Sequence, residues 1–208
     1  MNKKLYIIRH GETEHNRRGI VQGRGIDSHL NNTGKIQAEL FFQKYKNVSF
    51  EYLYCSDQRR TYQTISSFEN SDVAIIRDTR LDEISWGEHE GKSGEPELME
   101  KYYRIIQSWS AGNYHDRPVG GESAQDLHDR VSSFLMDLSQ RHFNNALIAT
   151  HGRTLRAMLC ILKNQPIKFM DQVAHQNTGL YMLEWCNKSW EVLMENDCEH
   201  LGQKIIIE

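Results

Sequence analysis

Two short apolar runs, each passing directly into a His-Gly pair, constrain this chain more than any other feature. Leu5-Tyr6-Ile7-Ile8 leads into Arg9-His10-Gly11, and Ala146-Leu147-Ile148-Ala149 leads into Thr150-His151-Gly152. Four-residue apolar runs closed by glycine turns read as buried strands. Helical periodicity follows each of them, and strands that alternate with helices imply a parallel sheet. The ends of parallel strands lie along one sheet edge, so His10 and His151 can meet in one crevice despite their separation in sequence. Either histidine alone reads more readily as a structural or surface residue. Together with Arg9 they point to an anion, phosphate foremost, which Gly11 would let the backbone approach closely.

The same reading extends along the chain. Lys4–Ile8, Glu51–Cys55, Val73–Ile76 and Ala146–Ala149 are expected as strands, with helices over Thr33–Tyr45, Asp57–Phe68, Glu97–Trp109, Ser123–Arg141 and Thr154–Leu162. Ile36, Leu40 and Phe41 stand at helical spacing, and Asn31 to Thr33 supply the cap. Gly179–Trp185 and Trp190–Met194 are expected to pair around a turn at Cys186 to Ser189. The fold class is α/β: a three-layer αβα sandwich with a mostly parallel central sheet, forming a single domain over residues 1–208.

Charge and cysteine usage narrow the partners. A net charge of -3 argues against a nucleic-acid-binding surface, so anion selectivity has to come from a local arginine cluster and the partner is a small molecule. Cys55, Cys160, Cys186 and Cys198 show no C-x-x-C pairing, which suits reduced thiols and a cytoplasmic location. The run after Lys3 and Lys4 is too short for a signal-peptide core, and no stretch reaches membrane-spanning length. Tyr102, Tyr103 and Trp109 suit either a core or an interface, which leaves the oligomeric state open.

A further cation comes from Ser56-Asp57-Gln58-Arg59-Arg60, where a strand end meets a helix start that itself favours an anion. Either arginine can face the site on this reading. Glu83 is the candidate acid, because a carboxyl among Leu81, Ile84 and Trp86 is expected to have its pKa raised by desolvation. An exposed loop carboxylate is the competing description.

At this point the residues resemble the histidine phosphatase superfamily, the phosphoglycerate-mutase-like group, in its branch of small phosphatases. The resemblance runs through Arg9 to Thr13 with Asn16, through Gln22, Gly23, Asp27 and Leu30, and through Ser56, Asp57, Arg60, Gln63 and Thr64. It continues in Leu81, Glu83, Gly87, Glu90 and Gly91, in Gly121 to Ser123, and in His151, Gly152 and Arg156. No single motif is specific, but their ordered series is. The resemblance selects Arg60 over Arg59 as phosphate ligand and implies that His10 forms a phosphohistidine. It further implies that Arg9, Arg60 and His151 hold the phosphoryl group, that Glu83 protonates the leaving oxygen, and that Asn16, Gln22, Gly23 and Gly152 line the substrate pocket. No metal or other cofactor is implied. The substrate is a small phosphorylated metabolite, and arginine forks suit a reaction governed by positioning and charge.

Several positions depart from the family pattern. Arg24-Gly25-Ile26 makes the loop before Asp27 one residue longer than in many relatives, and His29 stands where proline is common. Gln58 replaces a usual apolar residue, and His89 an aromatic one. Phosphoglycerate mutase is the nearest rival, although mutases usually carry Ser and Trp where this chain has Thr13 and His15. A non-catalytic phosphate-binding scaffold is disfavoured because no member of the constellation is missing. A metal-dependent hydrolase is disfavoured because the spacing of His10, His15 and His29 matches no familiar ligand motif.

Overall fold

In the first strand, alternate side chains enter two different cores. The computed structural model describes residues 3–202, leaving residues 1–2 and 203–208 of the expected domain outside the description. In β1 (Lys4–Arg9), Leu5 and Ile7 face one apolar cluster while Tyr6 and Ile8 face another. β4 (Asn145–Thr150) repeats the pattern, with Ala146 and Ile148 on the first side and Leu147 and Ala149 on the second. A strand buried on both faces needs an unbroken apolar run, and this accounts for both tetrads. Each large aliphatic side chain so buried contributes about 1.5–3 kcal/mol.

Among the described residues six strands form one sheet in the order β3-β2-β4-β1-β5-β6, with β2 at Tyr52–Cys55, β3 at Ile75–Arg77, β5 at Leu180–Cys186 and β6 at Ser189–Asp197. β3, β2, β4 and β1 are parallel, and only β5 runs against the others. Helices α2 (Asn32–Tyr45) and α3 (Arg59–Ile65) cover one face. On the other lie α5 (Ala124–Ser139), α6 (Gly152–Leu162) and the end of α4 (Pro96–Ser110). The architecture is the expected αβα sandwich. No helix among the described residues is long and apolar enough to cross a membrane.

The deviations from expectation have local causes. Ile36, read as part of the buried stripe of α2, is 52% exposed; the inward face is Gly34, Ala38, Phe41 and Tyr45. Gly34 sets that rotation, because it packs against Gly11, where a Cβ would stand 2.6 Å from the Gly34 carbonyl oxygen. Asn31 caps the helix, its side chain accepting from Gly34 N at 2.8 Å. Helix α3 is shorter than Asp57–Phe68: Gln58 stays extended before it, and a 3-10 turn follows at Ser66–Phe68. β3 begins later than Val73 and β6 runs beyond Met194. The short helix α1 (Glu14–Arg17) has no counterpart in the sequence reading. Asn187 and Lys188, at φ 51° and 68°, make the two-residue turn between β5 and β6, a geometry that matches strand twist. Trp109 is fully buried and Tyr103 is exposed, which settles the core-or-interface question for Trp109 alone.

Candidate active site

β1, β2 and β4 deliver His10, Ser56 and His151 to the same edge of the sheet. The His10 backbone N–H donates to Thr150 O at 2.9 Å, which ties the two strand ends together. The His10 and His151 ring centroids are 5.2 Å apart, and both rings are buried. His10 Nδ1 lies 2.7 Å from Gly11 O, and a carbonyl only accepts, so Nδ1 carries the proton and the lone pair sits on Nε2. Burial, then the charges of Arg60 and Arg9, push the His10 pKa well below the usual histidine value, so the ring is neutral near pH 7.

His151 has the opposite tautomer. Arg60 Nε donates to its Nδ1 at 3.2 Å, so the proton lies on Nε2, which donates to Ser56 Oγ at 2.7 Å. Burial and Arg60 likewise hold its pKa well below the ordinary value. Arg60 is 1% exposed and also reaches Ile26 O at 2.6 Å and Gln58 Oε1 at 3.1 Å. Burial lowers its pKa to about 10, which leaves it charged at neutral pH. Arg59 instead points outward and pairs with Asp27 at 3.1 Å. Arg9 places Nη1 3.3 Å from His175 O, and its buried Nε has no partner among the described residues. Burial lowers the Arg9 pKa and the nearby Glu83 charge opposes the shift.

The surroundings of Glu83 correct the expected apolar pocket. Leu81, Ile84 and Trp86 turn into the core, while the carboxyl turns to the start of α6. Its Oε1 accepts from Ile84 N at 3.0 Å, from Arg153 N and Thr154 N at 3.2 Å, and from Thr154 Oγ1 at 3.3 Å. Among the described residues its Oε2 accepts only from Arg153 N, at 3.2 Å, and is the freer oxygen.

The expected lining residues are placed unevenly. Asn16 Oδ1 closes a capping box on Thr13, and Gln22 Nε2 donates to Thr13 Oγ1 at 2.9 Å, so both are braced on the turn after His10. Gly152 opens α6 with its Cα against His175. Gly23 packs against the Glu90 carboxylate, where a Cβ would overlap it. Gly11 approaches Gly34 rather than an open anion position, which corrects the role first read for it. Among the described residues no group of three or more His, Cys, Asp or Glu is placed to hold a metal ion.

The turn at His175 to Thr178 went unread in the sequence. Asn177 Nδ2 donates to His10 O, and Thr178 N donates to Arg9 O, both at 2.9 Å. The turn is held from behind by Asn196, whose Oδ1 accepts from Gln176 N at 2.8 Å, and by His200, 2.9 Å from Thr178 Oγ1. The available signal was weak: a Gln-Asn-Thr-Gly run before a strand reads only as a turn.

A family model described as the histidine phosphatase superfamily (branch 1) matches residues 5–198. The chain belongs to the histidine phosphatase superfamily. Among similar proteins, phosphoserine phosphatase 1 of Hydrogenobacter thermophilus is 30% identical over 202 residues, covering 96% of this chain and 95% of that protein. The Shigella dysenteriae protein named "Probable phosphoglycerate mutase GpmB" is 28% identical and covers 99% and 98%. The Shigella flexneri alpha-ribazole phosphatase structure superposes with a TM-score of 0.82 at 25% identity, covering 93% of this chain and 96% of that one. This histidine phosphatase is thus a phosphomonoester hydrolase acting on small phosphorylated compounds through a histidine-bound intermediate.

Proposed function

We propose that His10 Nε2 attacks the phosphorus of a small phosphate monoester while Glu83 protonates the departing oxygen. The observation that carries this reading is the His10 Nδ1–H bond to Gly11 O, which in a buried cationic site leaves a neutral ring with a free Nε2 lone pair. As the N–P bond forms and the ester P–O bond breaks, Arg9 and Arg60 hold the equatorial oxygens. Gly152 N and the start of α6 favour the same charge. His151 swings its Nε2–H from Ser56 to a phosphoryl oxygen. The proton for the leaving group comes from Glu83 Oε2, the oxygen with the single donor. Water then attacks phosphorus, Glu83 takes the water proton, and the P–N bond breaks to return neutral His10.

Asn16, Gln22, Gly23 and Gly152 line the pocket on this reading, in one domain that needs neither metal nor cofactor. The four cysteines, free of disulfides, support a cytoplasmic location. Phosphoserine is the first substrate to examine, given the named activity of the Hydrogenobacter protein. The test is a screen of phosphoserine, phosphoglycerates, sugar phosphates, α-ribazole phosphate and a phosphoprotein that separates phosphate release from phosphate transfer. Release from a small metabolite, abolished in His10→Ala with the circular dichroism spectrum intact, is expected. Transfer between phosphoglycerates exceeding release would establish a mutase, and turnover retained by His10→Ala would overturn the mechanism.

A further inference from the structure

Gln58 is one of the positions where the sequence departs from its family, and it is 4% exposed. A buried amide has to satisfy two donors and an acceptor, and Gln58 spends all of them at the site. Its Nε2 donates toward Gly23 O at 3.1 Å, Arg24 O at 3.3 Å and Ile26 O at 3.1 Å. Its Oε1 accepts from Arg60 Nη2 at 3.1 Å and from the Glu83 backbone N–H at 3.2 Å. One side chain therefore binds the carbonyls of the lengthened loop on one side and both a phosphate ligand and the acid-bearing backbone on the other.

The opposite, N–H side of the loop is held by Glu90. Its Oε2 accepts from Gly25 N at 3.0 Å and its Oε1 from Trp86 N at 2.9 Å. Arg24 N reaches Ile84 O at 3.3 Å. The Gly23–Ile26 loop and the segment carrying Glu83 are thus strapped together on both sides. Gln58 is the strap that also touches Arg60. An apolar residue there would leave the Glu83 N–H and three loop carbonyls to find other partners, a change felt where Glu83 meets the leaving group.

We propose that Gln58 is a positioning residue: it sets the Glu83 carboxyl against the leaving oxygen and fixes the Gly23–Ile26 loop as the wall that the leaving group meets. This rests on the reading of Glu83 as the acid. A structural role alone would lower stability and depress all substrates alike, whereas a positioning role tracks the basicity of the leaving group. The experiment compares kcat across aryl and alkyl phosphates for the wild type, Gln58→Met, Gln58→Glu and Glu83→Gln, with melting temperatures alongside.

Gln58→Met is expected to lose on the order of tenfold in kcat on alkyl phosphates and much less on a nitrophenyl ester. Gln58→Glu, which keeps acceptors for Arg60 and Glu83 N while losing the loop donors, is expected to show the same tilt and gives the readout if the methionine variant fails to fold. A uniform loss across leaving groups in the folded Gln58 variants, while Glu83→Gln is tilted, would overturn the proposal for Gln58. A Glu83→Gln variant with no tilt would overturn the acid reading instead.

Discussion

Glu83 meets opposing demands, and its two oxygens divide them. Oε1 accepts from Ile84 N and, at the start of α6, from Arg153 N and Thr154 N, which fixes the group in place, while Oε2, with one donor among the described residues, is the oxygen that exchanges the proton in the proposed mechanism. Glu83→Gln keeps the volume and the acceptor oxygen but supplies no acidic proton. It is expected to slow alkyl phosphates by 10²-fold or more, within the usual range for lost general acid catalysis (~10²–10⁴), and nitrophenyl phosphate far less. Steady-state rates plotted against leaving-group pKa check this, and parallel lines for variant and wild type would argue against the role. Asn177 offers a second single-residue test. Removing its bond to His10 O in Asn177→Ala is expected to cost about 1 kcal/mol of stability and, by loosening the strand end, a disproportionate fall in kcat with KM little changed. A fall in KM-limited binding alone would place Asn177 in substrate recognition instead.

At the level of elements, the contact between the Gly11 turn and the first turn of α2 holds His10, the proposed nucleophile, against the sheet. A Cβ at Gly34 would overlap the Glu12 backbone. Helix propensity favours Ala over Gly by about 1 kcal/mol. Overpacking against fixed backbone costs about 1–3 kcal/mol, so Gly34→Ala is expected to lower the urea midpoint and reduce kcat together. A raised midpoint would show that the turn yields freely. This contact also explains what the sequence could and could not reveal. The strands β1 and β4 were readable because burial on both faces demands uninterrupted apolar residues, and their His-Gly ends followed. Glu83 and the helix starts are readable as positions but not as partners, and the choice of Arg60 over Arg59 comes from the family resemblance alone. The rotation of α2 was misread at Ile36 because a glycine contact, invisible to hydrophobic periodicity, decides it. Glu83 was misread for a similar reason: its apolar neighbours in sequence point into the core while its carboxyl turns to α6, and the turn bearing Asn177 has no periodicity at all.

For the molecule as a whole, the buried histidines set the response to acid. His10, His151 and His200 are neutral in the fold, with His200 held at about 4 by burial, whereas in the unfolded chain each titrates near 6.5. Below the unfolded value the unfolded chain takes up protons that the folded chain refuses, so stability is full above pH ~6.5 and falls as pH drops toward the folded values. Each group contributes up to about 1.4 kcal/mol per pH unit across that window. Urea midpoints are expected to fall between pH 7 and pH 5, with a shallower fall in His200→Gln, which keeps a donor for Thr178 but does not titrate. An equal slope in that variant would remove His200 from the account. The strand order carries a consequence for how the protein is made. β1 leaves the ribosome first, yet both of its neighbours, β4 and β5, lie in the last third of the chain. Its apolar tetrad therefore waits with two open edges through most of synthesis, the most exposed moment for misassociation. His10 acquires its surroundings only when the distant strands arrive, so catalysis starts with completion of the sheet and serves as a direct report of it.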